Sequence, residues 1–272
     1  GERMTAESPT AAPVTAAMVT PPNARDFLLD DLQVASFIKS GYLILNPDLP
    51  EALHPQIDRQ LSDLPNNPGD GILDAVPELY QVINHPQVQG TLISLLGTDF
   101  ALNNHRHWHC SRVGMKGQSW HQDSRNVRHH QIRTVLGFYY PQEVTAELGP
   151  TVILPGTHFR NCPTDRMGGP LTYRDQVLLK VKAGTVVIAH YDLWHAGTAN
   201  QGPRDRHMIK LLFTRKSEPT APSWRHDPTM LPKVHAKFSE TIIRCSQTDH
   251  YKEIGLRREM WQHLIGQPLK PA

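Results

Sequence analysis

Apolar positions in the first hundred residues recur at helical spacing, and further along they give way to short runs bounded by turn residues. Leu32, Ala35, Phe37 and Ile38 mark one helical face, and Gly41 stops it before the strand-like run Tyr42-Leu43-Ile44-Leu45. Residues 51–64 carry Leu53, Ile57, Leu61 and Leu64 on one stripe, and residues 77–97 carry Val88, Leu92, Leu95 and Leu96 on another, so both stretches are expected to be helical. Between residues 100 and 215 the pattern predicts strands at 100–113, 118–123, 132–140, 150–154, 176–182, 185–190 and 206–215, many rich in β-branched and aromatic residues. Gly149-Pro150, Pro155-Gly156, Gly168-Gly169-Pro170, Ala183-Gly184 and Gly202-Pro203 separate them. Many short strands with such turns predict a mainly β fold with flanking helices, either sandwich or barrel, and the jelly roll is the common double-sheet solution. After Lys216 comes a loop with Pro219, Pro222 and Trp224, and residues 228–265 read as mostly helical, with Met260, Trp261, Leu264 and Ile265 available to dock on the barrel.

Residues 1–23 are rich in Ala, Thr and Pro and lack apolar periodicity, so a flexible tail is expected there. Residues 24–272 are expected to form a single domain: a helical part over 24–99, a β core over 100–215, and a C-terminal loop and helices over 216–272. A chain of 272 residues can bury a substantial core without disulfides. The formal net charge of +2 gives no reason to expect nucleic acid or a membrane as partner. Cys110, Cys162 and Cys245 are odd in number and far apart, which leaves neither a disulfide framework nor a C-x-x-C motif. With no charged-then-apolar leader pattern and no membrane-length apolar run, a cytoplasmic location is expected.

The compositional anomaly is histidine, present 16 times. His121 and Asp123 in Trp120-His121-Gln122-Asp123 sit at a spacing that, on a strand, points both side chains to one face. With His195, on a distant segment, they supply the two imidazoles and one carboxylate that hold Fe(II) on three positions and leave three open. His190 is the rival for the distal ligand. Arg206 opens the last strand of the core, and its planar fork suits a carboxylate through two parallel hydrogen bonds. Arg204 is the competing arginine.

Several motifs in order carry a resemblance: Trp120-His121-Gln122-Asp123, then Glu147-Leu148-Gly149-Pro150-Thr151 with Leu154-Pro155-Gly156-Thr157-His158, then His195 with Asn200 and Arg206. Over roughly residues 30–225 the chain resembles the phytanoyl-CoA dioxygenase family of Fe(II)/2-oxoglutarate oxygenases. The resemblance implies a double-stranded β-helix, the jelly-roll core shared with cupins, and His121, Asp123 and His195 as iron ligands. It implies that Arg206 grips the distal carboxylate of 2-oxoglutarate, and that O2 is used to oxidise a small organic molecule, most simply by hydroxylation, with release of succinate and CO2. Asp123 argues against halogenation, because related halogenases carry a small residue at that ligand position. The chain departs from the family at Gly197, where members often have serine, and Thr198 or Thr134 is a candidate replacement contact. Gln118 is a further candidate for the cosubstrate site.

The remaining histidines and basic residues divide less sharply. His105, His107 and His109 alternate on one strand, which reads as pocket lining more readily than as a second metal site; His107, His109 and Arg125 are the candidate substrate contacts. Arg125, Arg128, His129, His130 and Arg133 form a basic run that reads as a solvated loop or as a site for an acidic substrate. His158 reads as structural. Two rival functions stay open: a cupin-like metal enzyme that does not use 2-oxoglutarate, and a non-catalytic domain that binds a metal or small molecule.

Overall fold

The structure is a computed structural model, and it describes residues 17–124, 131–160, 172–242 and 245–268. The first helix, α1 (Asp31–Ser40), starts at a reciprocal cap: the Asp30 carboxylate accepts the Gln33 N–H while the Gln33 carboxamide oxygen accepts the Asp30 N–H. It ends at Gly41, whose φ of 84° lies in the left-handed region. A Cβ at Gly41 would also sit 2.6 Å from Nδ1 of the buried His158, so both backbone and packing require glycine. Strand β1 (Tyr42–Leu45) follows directly.

Helices α2 (Leu53–Asp63) and α3 (Ile72–Ala75) come next. The helix expected over 77–97 is broken into α4 (Leu79–Ile83) and α5 (Pro86–Leu96). Pro86 lacks an N–H and disfavours helical geometry at His85, which becomes a cap whose Nδ1 accepts the Gln87 N–H. Helix α5 is buried from Val88 to Leu96, because a 3-10 turn at Pro22–Phe27 covers its outer side. A Cβ on Gly90 would lie 2.6 Å from the Phe27 carbonyl oxygen, which explains a glycine in mid-helix. Residues 17–23 fall within the expected tail, yet Thr20 donates to the Gln89 carboxamide and the Val19 N–H to Asn84. Residues 1–16 of that tail lie outside the described residues.

The remaining strands are β2 (Ala101–Ser111), β3 (Thr134–Tyr139), β4 (Thr151–Ile153), β5 (Val177–Leu178), β6 (Val186–His190), β7 (His195–Gly197) and β8 (Arg206–Thr214). They form two antiparallel sheets, a five-stranded one in the order β1-β6-β3-β8-β2 and a three-stranded one in the order β5-β4-β7, the double-stranded β-helix arrangement. The strand expected over 118–123 reduces to a bridge between His121 and His195. That segment follows β7, with Gln118 donating to the Gly197 carbonyl, but its bonding is interrupted before His121 and no ladder develops.

Alternation along the large sheet separates two cores. Val135, Tyr139, Val186, Ile188, Ile209, Leu211 and Phe213 face outward and join Phe37, Ile57, Leu61, Leu92 and Trp261 of the helical layer. Leu136, Phe138, Val187, Ala189, Met208 and Leu212 face inward, toward Ile153 of the small sheet. Helices α6 (Leu231–Phe238) and α7 (Gln247–Leu264) close the outer layer as two elements where one mostly helical stretch was expected. Buried Asp31 ties this end of the chain to α1, accepting from the Trp224 indole and from the Asp227 N–H, with His226 Nδ1 2.7 Å away. Among the described residues no helix is long and apolar enough to cross a membrane.

Candidate functional site

His195 begins β7, and backbone hydrogen bonds in both directions between it and His121 set the two imidazoles side by side, ring centroids 4.5 Å apart. Asp123 follows two residues on. His121 Nε2 lies 3.6 Å from Asp123 Oδ1 and His195 Nε2 lies 3.6 Å from Asp123 Oδ2. One donor atom from each residue falls within 4.8 Å of the others, close enough for a single ion.

Each imidazole is oriented by a carbonyl. His121 Nδ1 is 2.9 Å from the Ser119 oxygen and His195 Nδ1 is 3.0 Å from the Leu193 oxygen. A carbonyl only accepts, so Nδ1 carries the proton and Nε2 presents its lone pair toward Asp123. Burial holds His195 down to about 4, so it is neutral near pH 7, as a metal ligand must be. Burial alone would raise the Asp123 carboxyl, but the facing His195, Lys210 and His121 outweigh it and hold the group at about 2. Lys210 Nζ donates to Asp123 Oδ2 at 2.7 Å. Gln122, between the two ligands, fastens the loop by donating to the carbonyls of Arg160 (2.6 Å) and Asp192 (2.7 Å).

Arg206 lies in the same cavity, 4% exposed, and its Nε and Nη1 have no hydrogen-bond partner among the described residues. Burial lowers its pKa, but a guanidinium keeps its charge, so the fork awaits an anion. Arg204 is excluded as the rival, since it is exposed and bonds both oxygens of Asp58 at 2.7 and 2.8 Å. His190 is excluded from the triad by its own bonds: Nε2 meets the Gln131 carbonyl and Nδ1 accepts the Asp192 N–H.

The other sequence candidates divide. Gln118 lines the cavity and its carboxamide oxygen accepts the Gly197 N–H at 2.9 Å. A Cβ on Gly197 would approach that oxygen to 3.1 Å, so Gln118 occupies the room a serine would need. Thr198 is at the cavity wall, with its hydroxyl donated to the Pro150 carbonyl. Thr134 is not at that wall and bonds the Thr214 hydroxyl at 3.1 Å, because its register places it four pairs beyond the Phe138–Lys210 pair of the cavity. His109 lines the cavity, whereas His107 is not one of its lining residues and sets Nε2 2.5 Å from His105 Nε2. Arg125, Arg128, His129 and His130 lie outside the described residues. His158 is structural, its Nε2 donating to the Ile38 carbonyl beneath Gly41. Sequence reasoning passed over Lys210, although Arg206, Met208 and Lys210 share one face of a strand by simple alternation.

Two antiparallel sheets carrying a His-Asp-His cluster beside a buried arginine define the class: a jelly-roll protein with a facial triad. The chain belongs to the phytanoyl-CoA dioxygenase (PhyH) family, whose sequence model matches residues 55–208. Its fold is similar to that of HygX from Streptomyces hygroscopicus, solved with nickel and 2-oxoglutarate bound, at a TM-score of 0.57 and 14% identity, over 71% of this chain and 88% of that one. It is also similar to SnoN, a non-heme alpha-ketoglutarate-dependent epimerase from nogalamycin biosynthesis, at a TM-score of 0.55 and 15% identity, over 68% of this chain and 83% of that one. Among curated proteins, Mb1539 of Mycobacterium bovis and Rv1501 of Mycobacterium tuberculosis are 31% identical over 99 residues. That match spans 36% of this chain and about a third, 34%, of the length of each relative.

Proposed function

We propose that the protein is an Fe(II)- and 2-oxoglutarate-dependent dioxygenase that hydroxylates a small organic molecule and releases succinate and CO2. The observation that carries this reading is the buried guanidinium of Arg206 in the cavity of the triad, two of whose nitrogens have no hydrogen-bond partner among the described residues. A buried cation without a counter-charge is costly, and a cosubstrate carboxylate is the ligand that relieves it. The 2-oxoglutarate bound in HygX supports the same cosubstrate for this chain.

In this reading His121, Asp123 and His195 hold the iron, whose open positions supply oxygen activation. His195, held neutral by burial, and the ionised Asp123 are already in ligand form, so binding needs no proton release from these two. Arg206 orients 2-oxoglutarate, and Gln118 and Thr198 shape the walls around it. Gln122 keeps the ligand loop in place through Arg160 and Asp192. The experiment is oxygen-dependent succinate formation in the wild type and in Arg206→Ala. The expected result is turnover that requires added 2-oxoglutarate and collapses in the variant. Oxygen consumption followed in parallel supplies the opposing outcome: uptake at the full rate with no added 2-oxoglutarate would overturn the reading in favour of a cupin-like enzyme of another kind.

A further inference from the structure

The β2–β8 ladder places Ser111 opposite Arg206, His109 opposite Met208 and His107 opposite Lys210. Arg206 and Lys210 therefore project from the same face of one strand, about 13 Å apart along it. Both are buried, Arg206 at 4% exposure and Lys210 at 9%. Arg206 stands at one end of the cavity and Lys210 at the triad, where its one bonded partner among the described residues is Asp123. An ammonium has three donors, so that single bond leaves two without a partner among the described residues. Between the two cations His109 carries a buried Nε2 that no described group satisfies.

The charge balance of the loaded site makes Lys210 conspicuous. A divalent ion on two neutral imidazoles and one carboxylate keeps one positive charge. The 2-oxoglutarate dianion reverses it, and Arg206 restores neutrality. Lys210 then adds a positive charge that no other described residue is placed to offset, since the Asp123 charge is already counted toward the metal. A buried ammonium in that position carries a desolvation penalty unless an anion joins it.

The geometry points to Lys210, with His109 beside it, as a second anion site in the cavity, one that receives an anionic group of the substrate and sets that group next to the metal. This rests on the oxygenase reading and narrows its substrate class to molecules bearing a carboxylate or phosphate. Arg206 and Lys210 would divide the work, one binding the cosubstrate and the other the substrate. Asp123 holds the ammonium in place while the site is empty of ligands.

The test uses the full chain loaded with Ni(II), which does not turn over with oxygen, and saturated with 2-oxoglutarate so that Arg206 is occupied. Hexanoate, hexyl phosphate and the neutral hexanamide are titrated by ligand-observed NMR. The expected result is at least tenfold tighter binding of one anionic probe than of hexanamide, as charged hydrogen bonds worth about 1.5–3 kcal/mol provide. Lys210→Met should remove the preference and Lys210→Arg should retain most of it; Lys210→Gln replaces the Met variant if that protein is insoluble. Preference for hexanoate assigns a carboxylate substrate, and preference for hexyl phosphate assigns a phosphorylated one. No anion preference in the wild type, no binding of any probe, or a preference that survives Lys210→Met overturns the inference. Failure of the oxygenase reading looks different: 2-oxoglutarate itself would then bind without dependence on metal or Arg206.

Discussion

The two faces of strand β8 carry opposite kinds of residue within one nine-residue segment. Outward, Ile209, Leu211 and Phe213 are apolar and pack into the helical layer. Inward, Arg206 and Lys210 flank Met208 in a cavity, and the arginine lacks protein partners for two of its nitrogens. One face stabilises the fold, and the other holds a buried arginine whose charge no described residue pairs with, next to a lysine paired with Asp123. Alternation with a period of two lets a single strand do both, because residues that share a backbone need not share an environment.

The contrast can be broken from either side. Phe213→Ala should cost the most stability, about 3–5 kcal/mol for a large buried aromatic, seen as a lower Tm, while the protein that remains folded keeps its 2-oxoglutarate affinity. Arg206→Met should do the reverse: 2-oxoglutarate binding weakens about a hundredfold or more, and Tm holds steady or rises because an unpaired buried cation is gone. If Arg206→Met unfolded the protein, the division between the faces would be wrong.

A finer cut comes from the polar tie on the outer face, where the Tyr139 hydroxyl meets His54 Nδ1 at 2.7 Å. Tyr139→Phe strands a buried imidazole nitrogen and should cost about 1–3 kcal/mol in denaturant titration, with catalysis unchanged. The smallest effect is in pH. Burial lowers the pKa of His54 from its ordinary 6.5, so in the window below 6.5 the unfolded chain binds the proton more readily than the folded one. Stability from this group is complete above that window and falls as pH drops through it. Thermal melts between pH 7.5 and 5.5 should therefore show a declining Tm, with a shallower slope in His54→Gln and an unaltered slope in Arg206→Met.

How far the sequence disclosed this arrangement depended on the range of each interaction. The α1–Gly41–β1 unit was legible because cap, stop and strand lie within a few residues of one another. The break before Pro86 was visible in the chain, but the stripe of Val88, Leu92 and Leu95 masked it. His121, Asp123 and His195 were found because their order and spacing with Arg206 form a pattern, although only the sheets bring them together. Thr134 was misplaced for the converse reason: its position along the register could not be read without knowing that it pairs with Thr214. Lys210 was missed because a lysine in a strand is unremarkable until the partner at Asp123 is seen.

The pairing of β1 with β6 also bears on how the molecule is made. Tyr42 through Leu45 hydrogen-bond to residues 186–189, on the far side of nearly the whole core. During synthesis β1 leaves the ribosome long before its partner exists, so α1 and β1 wait with their apolar surfaces uncovered. Contacts this distant in sequence slow folding. Chaperone dependence and yield on expression should therefore respond to translation speed across residues 46–190 more than to the rate at which the metal loop itself is made.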